Sequence, residues 1–73
     1  MVTKKKYPFN KIKHILFDKA ITNKELANHL GTTEATVSRW VNNESQPNPE
    51  MFYRIADFLD CDLPDLIVSI KKN

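Results

Sequence analysis

Arg39 stands on the stretch of this sequence whose residue types and spacing are best suited to chemistry at a surface. At about 100° per residue, a helix over residues 34–42 gathers Val37, Trp40 and Val41 on one side and Ala35, Arg39 and Asn42 on the other. The first set has the character of a core face. The second is small and polar and carries one guanidinium, where a merely solvated helix face would carry several Lys and Glu. Such a face can press against the edges of nucleic-acid bases without bulky obstruction. Trp40 has a ring suited to stacking on a base, but its place in the inward stripe assigns it to the core.

The other chemistry-bearing residues form no set. His14, His29 and Cys61 lack the spacing of metal ligands, and Cys61 falls where a buried apolar residue is expected, so no metal is expected. No Ser/His/Asp set or paired-carboxylate pocket stands out, and the single glycine cannot make a phosphate-cradling loop. A 73-residue chain also has little room for a catalytic cleft. These residues point to a binding protein rather than an enzyme, with no cofactor and no small-molecule ligand.

The elements around Arg39 are read from periodicity and caps. Ile12, Ile15 and Leu16 share one face of a first helix over Asn10 to Lys19, with Lys11, Lys13, His14 and Asp18 outside it. Thr22 is placed to cap a second helix from Asn23, with Glu25 three residues on completing a capping box and Ile21 stapling against Leu26. That helix turns Leu26, Ala27 and Leu30 inward and ends at Gly31, where a left-handed residue is expected. Only Gly31 and Thr32 precede Thr33, the cap of the third helix. Two short helices joined so tightly must cross steeply, as in a helix-turn-helix.

Asn43 suits a left-handed end to the third helix, and residues 43–47 form a polar loop. Asn48 and Pro49 start a fourth helix with Phe52, Ile55, Ala56 and Leu59 inward, and Met51 and Phe58 beside Ile55 on a second apolar stripe. Residues 62–65, with Cys61 as a staple to Leu66, start a short fifth helix carrying Leu66, Ile67 and Ile70. Five helices and no strand signal predict an all-α fold. Around it, residues 1–9 read as a flexible basic arm with Lys4, Lys5 and Lys6, residues 10–70 as the domain and residues 71–73 as a tail.

Composition sets the class. The chain has 41% hydrophobic residues, one Gly and one Cys, which fits a single compact domain in a reducing compartment. Its apolar runs are too short for a signal segment or a membrane span, so the expected location is cytoplasmic. The net charge of +2 hides an asymmetry: residues 1–30 hold seven Lys against two acids, and residues 31–73 hold four cations against seven acids. A basic leading half and an acidic trailing half suggest one face turned towards a polyanion and another turned away.

Taken in register, Ile21-Thr22-Asn23-Lys24-Glu25-Leu26-Ala27, Leu30-Gly31-Thr32-Thr33, Thr36-Val37-Ser38-Arg39-Trp40, Pro47 and the run Ala56 to Leu63 resemble the XRE-type helix-turn-helix regulators, the family of the phage Cro and CI repressors. The resemblance covers roughly residues 10–68. It implies a five-helix, lambda-repressor-like DNA-binding domain whose helices 2 and 3 form the helix-turn-helix, with the recognition helix in the major groove of double-stranded DNA. It also implies a homodimer. Position by position, Asn23 would touch a phosphate, Thr33, Glu34, Ala35, Thr36, Ser38 and Arg39 would face the groove, and Asn42, Asn43 and Ser45 would approach the DNA backbone. Leu16 and Val41 replace an ionic pair common in the family with an apolar one. Ala20 stands for a usual Gly and argues against a positive φ there, and Asn43 stands for another. Glu34 near the helix tip repels phosphates yet can accept from a cytosine amino group.

The expected function is sequence-specific DNA binding as a transcriptional regulator, a repressor in particular. Crowded apolar residues in the last helix, Leu66, Ile67 and Ile70, predict a homodimer joined through the C-terminal region. Two alternatives use the same fold: a protein-interaction module without DNA, and an antitoxin-type regulator with a protein partner. The polar outward face of the third helix, lacking aromatics and Met, favours DNA over the first of these.

Overall fold

A computed structural model of the chain describes residues 9–68. It contains five helices: α1 over Ile12–Lys19, α2 over Asn23–Leu30, α3 over Glu34–Val41, α4 over Pro49–Leu59 and α5 over Leu63–Leu66. Local chemistry starts four of them at the expected residues. Thr22 Oγ1 accepts from the Glu25 N–H at 3.0 Å while Glu25 Oε1 accepts from the Thr22 N–H at 2.8 Å, completing the capping box of α2. Thr33 Oγ1 accepts from the Thr36 N–H at 3.1 Å to cap α3, and Asn48 Oδ1 accepts from the Met51 N–H at 2.8 Å to cap α4, with Pro49 in its first turn. At α5 the Asp62 N–H donates to Asp65 Oδ2 at 3.1 Å, the reciprocal half of a second capping box. Each such cap contributes on the order of 1 kcal/mol.

The inward faces meet in one core. Ile12 and Leu16 of α1, Leu26, Ala27 and Leu30 of α2, Val37, Trp40 and Val41 of α3, Ile55, Ala56 and Leu59 of α4 and Leu66 of α5 are all buried. Trp40 is 7% exposed, which settles it as a core residue. Leu16 and Val41 are both in this core, so apolar packing stands in the place of the ionic pair. Helix α2 packs most extensively against α3, and α4 lies against α2, α5 and α1. His29 of α2 stacks on Phe58 of α4 with ring centroids 4.0 Å apart, a second tie between those helices.

Three expectations need correction. Helix α1 starts at Ile12 rather than Asn10, because Asn10 is drawn out of the helix into an antiparallel bridge with Ile67. Helix α3 ends one residue early, with Asn42 as its C-cap. Helix α5 stops at Leu66 instead of continuing through Ile67 to Ile70: the Lys11 N–H donates to the Leu66 carbonyl at 2.7 Å and the Val68 N–H donates to the Phe9 carbonyl at 2.9 Å. Those bonds commit the chain to an extended course at Ile67, with φ −114° and ψ 132°. Phe9 thereby belongs to the folded unit rather than to the arm. Lys4, Lys5 and Lys6, Ile70 and the tail lie outside the described residues.

A further correction concerns Ala20, which adopts φ 57° and ψ 41° despite its methyl group. The Ala20 N–H donates to the Phe17 carbonyl and the Ile21 N–H reaches back to the Leu16 carbonyl at 2.9 Å. This closing pattern for α1 requires a left-handed residue. A non-glycine there costs about 1 to 2 kcal/mol. The variant Ala20→Gly relieves that cost but gives back part of it as unfolded-chain entropy. It is expected to be more stable by about 0.5 to 1 kcal/mol, seen as a melting temperature a few degrees higher in thermal unfolding.

Candidate nucleic-acid interface

The turn between α2 and α3 is made by Gly31 in the left-handed conformation, φ 73°, followed by Thr32 and the extended Thr33. The Thr32 N–H donates to the Ala27 carbonyl at 3.0 Å and the Gly31 N–H to the Asn28 carbonyl at 3.3 Å, so the turn closes α2 before Thr33 opens α3. Thr33 and Thr36 also share a hydroxyl–hydroxyl bond of 2.9 Å. The first turn of α3 is therefore held rigidly from outside its helical ladder.

Beyond that turn, α3 divides as its spacing predicts. Val37, Trp40 and Val41 are buried, Glu34, Ala35 and Arg39 are exposed, and Thr36 and Ser38 are half-buried along the border. The exposed Asn42 continues the outer stripe. Arg39 also shapes the next segment of chain: its carbonyl accepts from the Glu44 N–H at 2.8 Å and the Ser45 N–H at 3.4 Å, folding the loop back onto the end of α3. Ser45 is exposed in this loop. Of the ten residues expected to meet DNA, nine thus lie on α3, its cap or the loop after it, while Asn23 sits half-buried at the first position of α2.

Asn43 differs from its neighbours. It has φ 58°, and its side chain turns inward. Its Oδ1 accepts from the Phe9 N–H at 2.9 Å, the Asn10 N–H at 3.0 Å and Gln46 Nε2 at 3.1 Å, and its Nδ2 donates to the Asn10 carbonyl at 3.3 Å. Most of its hydrogen-bonding capacity is spent inside the protein. Asn10 and Gln46, which complete this network, do not stand out in the sequence. Neither sits in a periodic pattern, and the only signal is a polar residue just before an apolar helix, which reads equally well as an ordinary first-turn residue.

Glu34 on α3 and Glu44 in the loop after it are exposed acids beside this face, while four aspartates of the C-terminal half cluster elsewhere. Asp57, Asp60, Asp62 and Asp65, with Ala56 and Cys61, line an open cleft of about 290 Å³ between the end of α4 and the start of α5. Burial pushes the Cys61 thiol above the ordinary thiol range, and Asp65 adds to this. Lys19 opposes it, while Asp62 and Asp60 add smaller effects in the same sense as Asp65. The thiol is kept protonated at neutral pH, which suits a packing role. Among the described residues no group of three or more His, Cys, Asp or Glu is arranged to hold a metal ion, and no helix is long and apolar enough to cross a membrane.

Comparison with known proteins agrees with this geometry. A family model described as helix-turn-helix matches residues 18–66. The crystal structure of a candidate DNA-binding protein from Bacteroides fragilis is 42% identical, with a TM-score of 0.81, covering 82% of this chain and 97% of that one. No curated protein matches the chain.

Proposed function

Because the chain belongs to the XRE-type helix-turn-helix family, we propose that it binds double-stranded DNA sequence-specifically as a cytoplasmic transcriptional repressor, with α3 in the major groove. The observation that carries this reading is the exposed stripe of α3: among the described residues Ala35, Arg39 and Asn42 are exposed, although α3 contributes three residues to the core. In this reading Arg39 meets a guanine edge, Glu34 and Ser38 bias neighbouring positions, and Thr33, Ala35 and Thr36 allow close approach. Asn23, Asn42 and Ser45 meet the DNA backbone, where contacts position the protein without reading sequence, and Asn43, whose side chain is engaged internally, supports them from inside. Selection of bound sequences from a random duplex pool tests it. Enrichment of a near-palindromic site with half-sites about 34 Å apart is the expected result, and a pool that stays random would end the proposal.

The active species in this reading is a homodimer, since one small module gains little over non-specific affinity at physiological salt. Leu66 is fully buried and cannot serve the interface. Among the described residues of the two paired end segments, the exposed large apolar side chains are Ile67, 39% exposed, and Phe9, 51% exposed. Ile67→Asp is expected to leave the fold intact, sediment as a monomer and bind the selected site at least about tenfold more weakly, consistent with loss of one half-site. A folded variant with wild-type stoichiometry and affinity would remove this segment from the interface.

A further inference from the structure

Asn10 is 4% exposed, the one buried polar side chain among the described residues, and both ends of its amide are engaged: each donor hydrogen has a partner and the oxygen accepts one bond. Its Nδ2 donates to the Trp40 carbonyl at 2.9 Å and to Gln46 Oε1 at 2.7 Å, and its Oδ1 accepts from the Ile12 N–H at 3.1 Å. Its own main chain exchanges two further bonds with the Asn43 side chain. One residue far upstream thus touches the last turn of α3, the left-handed residue that ends it and Gln46 at the far side of the loop. The outer side of the same loop carries Asn42, Glu44 and Ser45, all exposed, of which Asn42 and Ser45 are the uncharged groups able to approach a phosphate.

We propose that Asn10 is a positioning residue for DNA binding: with Gln46 it braces the loop at residues 42–46 from inside, so that the loop's outer surface meets phosphates in a fixed place relative to α3. This rests on the DNA-binding reading. Buried polar networks act as units, because removing one member leaves its partners unsatisfied in a region of low dielectric. Loss of Asn10 strips the Trp40 carbonyl of one of its two donors, the other being the Asn43 N–H at 3.0 Å. It also frees Gln46. The loop then samples positions in which Asn42 and Ser45 no longer reach the DNA backbone together. Phosphate contacts carry no sequence information, so the penalty falls equally on all duplexes.

The test compares wild type, Asn10→Ala, Gln46→Ala and Arg39→Ala on the selected site and on an unrelated duplex, across a salt series, at a temperature where circular dichroism shows each protein folded. Gln46→Ala is expected to weaken both duplexes by about 3- to 10-fold with their ratio preserved and the salt slope unchanged, because the loop's contacts come from uncharged side chains that release no counterions. Asn10→Ala is expected to do the same more strongly. Should Asn10→Ala fail to fold, Gln46→Ala decides alone, since it removes one end of the brace without touching the core. A folded Gln46→Ala with unchanged affinity, or with a loss confined to the selected site, overturns the positioning role. If Arg39→Ala loses discrimination in that same series, the DNA reading survives the failure. If wild type binds neither duplex, the DNA reading falls and the positioning role falls with it.

Discussion

Trp40→Ala is expected to lower the melting temperature of the domain by roughly 10 to 40 °C. Truncating a buried Trp costs about 3 to 5 kcal/mol, and a domain of this size has a total stability of only about 4 to 11 kcal/mol. Trp40 is 7% exposed and lies in the core with Val37 and Val41 of the same helix. Helical signal and DNA binding should therefore disappear together in a thermal melt followed by circular dichroism and a binding titration. A folded Trp40→Ala protein that had lost only its affinity for DNA would mean that the ring stacks on a base and that the inward assignment is wrong.

The second large effect is expected at Arg39, and it should be opposite in character. Arg39 is exposed, so Arg39→Ala is expected to melt within about 0.5 kcal/mol of wild type. Its cost belongs to binding: about 1 to 3 kcal/mol, or roughly 5- to 150-fold, with preference relaxed at one base pair. Competition between the selected site and single-base variants would read this directly. If every affinity stayed at its wild-type value, α3 would not be the recognition helix. The two variants sit one residue apart on α3, and the contrast between them tests the division of that helix into an inner and an outer face.

How far the fold can be read from the sequence depends on how local each signal is. The capping box at Thr22 and Glu25, the Gly31 turn and the inward set Val37, Trp40 and Val41 depend on residues within a turn or two of one another, and the structure has them all where expected. The candidate face on α3 is legible for the same reason. The features that depart from expectation are decided by distant parts of the chain. Asn10 leaves helix α1 because Ile67 pairs with it, and α5 stops because Lys11 and Phe9 take its bonds. Ala20 departs for a different reason. The left-handed conformation is disfavoured for alanine, but two closing hydrogen bonds of α1 outweigh that preference. The inward role of Asn43 is hidden by distance, since its partners Phe9 and Asn10 lie more than thirty positions earlier.

The pairing of Phe9 to Lys11 with Leu66 to Val68 makes the described chain almost a closed ring. Ring closure over so long a span costs about 3 to 4 kcal/mol of chain entropy, recovered only once the helices between are packed. The two ends therefore zip together last during folding and part first during native-state opening, and their amide protons exchange with solvent ahead of those in α2 and α3. During synthesis the same segment waits for its partner: α2 and α3 can pack as soon as they emerge, but residues 9–11 are secured along their second edge only after Val68 has cleared the ribosome. The scaffold behind α3 is thus the last part of the domain to be completed.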